Sequence, residues 1–132
     1  MRFMMLMIPK GYEQANPGTM PDPKAVEAMM KYNRELQDAG VLLSLEGLHP
    51  PSAGARVSFA GGKPKVTDGP FSEAKEVVGG FAIFDLKSKQ EAIEGAQRFM
   101  ELHRKHWPGW EGATEIRQIF GPEDFKDCAS RG

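Results

Sequence analysis

From Phe3 to Ile8 the chain is apolar at six successive positions, Phe3-Met4-Met5-Leu6-Met7-Ile8. That run constrains the fold more than any other stretch. A half-exposed strand alternates apolar with polar residues, whereas an unbroken apolar run of this length reads as a strand covered on both faces. The chain therefore needs a central strand with material on either side of it. The run is far shorter than the roughly 20 residues that span a bilayer, and shorter than a secretory apolar region of about 7 to 15. An untargeted, cytoplasmic protein is expected. Lys and Arg number 17 against 18 Asp and Glu, for a net charge of -1, so no electrostatic excess attracts a phosphate backbone or an anionic leaflet. Neither nucleic acid nor a membrane is expected as a partner. At 132 residues with one cysteine, Cys128, a single core without an intrachain disulfide is expected.

The other elements follow from local signals. Pro9 to Pro21 reads as a loop marked by Tyr12, after which Asp22 offers a capping carboxylate and Pro23 a first helical residue. The helix runs to about Ala39 before Gly40, with Val26, Met29, Met30, Asn33, Leu36 and Gln37 on one side. Val41 to Leu45 reads as a second buried strand, stopped by Pro50-Pro51. Ala55 to Phe59 and Lys63 to Thr67 alternate with period two around Gly61-Gly62 and predict a hairpin. Glu76 to Phe84 reads as a third long strand in which Gly79-Gly80 marks a bulge or a close backbone approach. Ser88 and Glu91 form a capping box for a second helix with an apolar stripe of Ile93, Ala96, Phe99 and Met100. Trp107-Pro108-Gly109 stops it, and Thr114 to Phe120 is the last strand. The order β, α, β, hairpin, β, α, β is a doubled split βαβ arrangement. It predicts an α+β ferredoxin-like sandwich with an added hairpin. Two helices cover one face of such a sheet, so a second copy of the chain is expected on the other, as a homodimer packed face to face.

Few residues suggest chemistry. Asp68-Gly69-Pro70-Phe71 follows the hairpin and admits two readings. In one, Asp68 accepts backbone N–H groups in a turn, Gly69 takes a positive φ and Phe71 plugs the core. In the other, the Asp68 carboxylate stands at a pocket mouth as a base or ligand acceptor. His49, in the loop after the second strand, is the candidate partner of Asp68, since imidazole is the usual side chain for general acid and base work. His103 and His106 share a helix face, but two ligands fall short of a zinc site, and beside Arg104-Lys105 they are expected to complement the helix C-terminus. No metal or cofactor is expected. Neither Gly61-Gly62 nor Gly79-Gly80 has the lysine and helix start of a phosphate loop, and Cys128 lies in a charged tail without an ordered base beside it.

Asp68-Gly69-Pro70-Phe71, followed by Glu76-Val-Val-Gly-Gly-Phe-Ala-Ile-Phe84, resembles the signature of DGPF-domain proteins, a branch of the YCII-related family. Met4 to Ile8, Leu36 to Gly40 and Gly47 to Pro51 agree with it, so the resemblance runs over about residues 2 to 120. It implies a ferredoxin-like domain over residues 1–120 in a dimeric α/β barrel, with 121–132 as a tail. Similar proteins are thought to use a His and Asp pair in a pocket. One branch includes a muconate dehydrochlorinase, and others resemble partners of extracytoplasmic-function sigma factors. The matching Asp here is Asp68, whereas the family's helix histidine falls near Met29, whose thioether cannot shuttle a proton. The expected site is thus Asp68 and His49 as catalytic candidates with Gly69, Phe71 and Met29 on the ligand side. The expected function is isomerase, lyase or dehalogenating chemistry on a small organic acid, or a noncatalytic sensor or sigma-factor module.

Overall fold

The computed structural model of the chain describes residues 1–16, 22–69 and 76–126. In chain order the main elements are β1 (Arg2–Pro9), α1 (Pro23–Asp38), β2 (Leu42–Gly47), β3 (Ala55–Ala60), β4 (Lys63–Asp68), β5 (Gly80–Asp85), α2 (Lys89–His106) and β6 (Gly112–Gln118). Four strands form one antiparallel sheet in the order β2-β5-β1-β6, and β3 and β4 form a separate hairpin. This is the ferredoxin-like α+β arrangement, with β1 at the centre of the sheet as its apolar run requires. No described helix is long and apolar enough to cross a membrane.

Alternation along β1 divides the sheet into two faces. Phe3 and Met5 point to the helices and form the core with Leu86, Ala92 and Ala96. Their cross-strand neighbours on that side are Phe84, Ala82 and Ile116. On the opposite side Met4 and Leu6 lie beside Ile83 and Phe81, all half-buried although neither helix covers them. Glu46 of β2 and Glu115 and Arg117 of β6 flank this strip in register.

The helices start where the caps place them. The Asp22 carboxylate accepts from the Lys24 N–H at 2.8 Å and the Ala25 N–H at 3.4 Å. Ser88 Oγ accepts from the Glu91 N–H at 3.1 Å, while the Glu91 carboxylate takes the Lys87 N–H at 3.0 Å. The buried line of α1 is Ala25 and Met29, and Met30, expected on that side, is exposed. Gly61 and Gly62 have φ of 62° and 80°, as a two-residue turn of primed type needs.

Two strand expectations are corrected. Val41 to Leu45 is not covered on both faces: β2 is an edge strand, Leu43 is 51% exposed, and the register shifts between Leu42 and Ser44. β5 begins at Gly80 rather than Glu76. Before it, the Gly79 N–H donates to the Met7 carbonyl at 2.7 Å and the Gly79 carbonyl accepts from the Leu48 N–H at 2.9 Å. The paired glycines mark a close approach: a Cβ on Gly80 would stand 2.9 Å from the Glu46 carbonyl oxygen.

Candidate ligand-binding cleft

Where β1 and β2 end and β5 begins, the sheet, both helices and the connecting loops enclose a cleft of about 700 Å³. Met7 and Leu45 form its floor, Met29 and Met30 come from α1, and Phe99 and His103 come from α2. Trp107 and Trp110, both tryptophans of the chain, close one side. Walls of thioethers and aromatic rings with a few polar groups are the composition of a site for small organic molecules.

Loops at the rim are tied together. The Tyr12 hydroxyl donates to the Leu48 carbonyl, and burial pushes the Tyr12 phenol up, so it stays protonated at neutral pH. That bond pins the loop carrying His49 to the loop after β1. Lys10 Nζ lies 2.9 Å from Glu111 Oε2. Hydrogen bonding and charge in this exposed pair raise the Lys10 pKa and lower that of Glu111.

His103 is the buried polar residue of the described chain, 9% exposed. Its Nδ1 lies 3.0 Å from the Phe99 carbonyl oxygen four residues earlier. A carbonyl only accepts, so Nδ1 carries the proton and Nε2 is left with its lone pair. Phe99 meets the imidazole edge-on at 4.6 Å between ring centres, and Trp110 lies over it at 4.5 Å. Burial holds the His103 pKa below the ordinary imidazole value, and the bond to Phe99 offsets this in part. His103 is therefore neutral, correcting the expectation of a cation at the helix end; His106 is exposed. The missed signal is spacing: Ala92, Ala96, Phe99 and His103 fall at i, i+4, i+7 and i+11, one continuous inner stripe of α2.

Of the residues singled out from the sequence, Met29 and His49 both line the cleft. Met29 is buried on α1, and His49 is exposed at the rim. Asp68 and Gly69 are not among the lining residues. Asp68 is exposed at the end of β4 opposite Ala55, and its carboxylate makes no hydrogen bond or ion pair among the described residues. Gly69 donates its N–H to the Gly54 carbonyl at 2.9 Å. Its φ is not positive; the glycine is required because a Cβ there would fall 1.6 Å from the Pro51 carbonyl oxygen. Pro70, Phe71 and Cys128 lie outside the described residues. Among the described residues no group of three His, Cys, Asp or Glu could hold a metal ion.

A family model for the YCII-related domain matches residues 1–104. The folded unit extends past that segment, since β6 pairs with β1 from Phe3 to Pro9. An uncharacterized protein of Rhizobium meliloti (strain 1021) is 33% identical over 76 residues, which are 58% of this chain and 61% of that relative. The match thus spans less than two thirds of the relative's length.

Proposed function

Because the chain belongs to the YCII-related family, we propose that it binds a small, largely apolar organic molecule in the cleft between α1, α2 and the end of the sheet. The observation that carries this reading is the cleft itself: about 700 Å³, with walls of methionine and aromatic side chains. Methionines adapt to irregular ligands, and a flexible wall suits a binding site better than a close-packed core. A catalytic reading adds Asp68 and His49 as an acid and base pair for isomerase, lyase or dehalogenating chemistry. His49 lines the cleft and Asp68 does not, which favours binding without turnover.

Trp107 and Trp110 make the test direct, since both report from the cleft wall. Cyclohexylmethanol and its methyl ether are transparent where tryptophan absorbs. Saturable changes in tryptophan emission on titrating either probe are the expected outcome. If neither probe produces a saturable change, the cleft is not a binding site for small apolar molecules.

A further inference from the structure

We infer that Nε2 of His103 is the acceptor that selects the cleft's ligand, and that this ligand is an uncharged apolar molecule carrying a hydroxyl donor rather than a carboxylate. The inference rests on the binding reading above and names the chemistry of that site. Its basis is the fixed orientation of one ring. Nδ1–H is committed to the Phe99 carbonyl, and Phe99 and Trp110 pack on the imidazole from two sides. The ring cannot turn without breaking the bond and both contacts, so Nε2 keeps its lone pair and its direction. Nε2 has no hydrogen-bond partner among the described residues, and it is not among the polar atoms sealed from solvent. His103 lines the apolar cleft, and an unpaired acceptor there discriminates strongly, because a ligand that covers it without donating leaves it unpaired.

The charges around the cleft argue against an anion. Lys10 is the lining cation, and Glu111 holds it. The exposed His49 stands at the rim, and the Tyr12 hydroxyl is spent on Leu48. On the helix of His103 itself, Arg104 is paired with Glu101, and Lys105 and His106 are exposed. Tyr32 of α1 reaches the cluster through Phe99, with ring centres 6.2 Å apart. A buried carboxylate would find no free lysine or arginine among these lining groups and would meet a neutral acceptor instead.

Cyclohexylmethanol, its methyl ether and cyclohexanecarboxylate, titrated into wild type and His103→Phe with tryptophan emission as readout, test this. Wild type is expected to bind the alcohol about tenfold more tightly than the ether, the range of one buried hydrogen bond made or missed, and the carboxylate least well. His103→Phe keeps the aromatic stack, so it is expected to bind the ether and lose the preference. The preference is also expected to fade as the pH drops below the ordinary imidazole range, because a protonated Nε2 cannot accept. Equal affinity of wild type for alcohol and ether overturns the inference while leaving the cleft a binding site; failure of both probes to bind overturns the binding reading itself. Should His103→Phe not fold, nitrogen NMR of the wild-type imidazole decides. Nε2 is expected unprotonated at neutral pH and shifted by the alcohol alone, and a protonated or unresponsive Nε2 overturns the inference.

Discussion

Gly69 sits where a side chain has no room. The Pro51 carbonyl oxygen occupies the position of its missing Cβ, and its N–H is bonded to Gly54. Gly69→Ala must therefore push the end of β4 away from the turn at residues 51–53. The expected cost is about 1–3 kcal/mol in urea unfolding, the usual range for overpacking. Its neighbour behaves differently. With no partner for its carboxylate among the described residues, Asp68→Asn is expected to change stability by less than about 0.5 kcal/mol. A loss of about 1–2 kcal/mol in the same experiment would instead mark Asp68 as a turn acceptor. The sequence made this dipeptide conspicuous but suggested the wrong reason for its glycine. A positive φ is a local demand that a turn motif advertises, whereas Pro51 arrives through tertiary folding. His103 was hidden for a similar reason. Beside Arg104 and Lys105 it looked like part of a solvated helix end, and only the stripe running from Ala92 through Phe99 points it inward.

Among the elements, the β3-β4 hairpin stands apart. Its strands pair along their length but scarcely touch the rest of the described chain. One face carries Val57, Phe59 and Val66, which are 66%, 76% and 65% exposed. A two-stranded ribbon without a packed face is marginal in water. In dilute solution its amides are therefore expected to exchange with little protection, while those of β1 and β5 approach the protection set by global unfolding. Hydrogen exchange followed by NMR measures both at once, and hairpin protection matching that of β1 would mean that something covers its apolar face. The hairpin was legible because Gly61-Gly62 and period-two alternation are local signals. The limits of β2 and β5 were not. Val41 to Leu45 reads as buried from its composition, yet strand order puts it at an edge, and order is not written in a single segment. Val77 and Val78 look like strand residues, but the chain there approaches the loop at Leu48 and joins the ladder only at Gly80.

At the scale of the whole molecule the unresolved demand is the second face of the sheet. An antiparallel sheet faces water comfortably when that face alternates to polar residues, and here the two central strands present Met4, Leu6, Ile8, Phe81 and Ile83 instead. Full burial of one such side chain contributes about 1.5–3 kcal/mol. These are already half-buried, so a large part of that gain remains to be made by association. A second copy presents the same strip and the same charged margins of Glu46, Glu115 and Arg117. Face-to-face packing about a twofold axis would bury both strips at once and leave the charges at the rim. Light scattering at micromolar concentration is expected to give twice the mass of the chain, with an unfolding midpoint that rises with protein concentration. Leu6→Glu places an unpaired carboxylate at the centre of the strip and is expected to halve the mass. If it halves the mass and keeps the helical signal, the sheet and its two helices fold before they associate; if the helical signal is lost as well, the second copy is part of the core. A wild-type mass equal to one chain would remove the homodimer and leave the strip for a different partner.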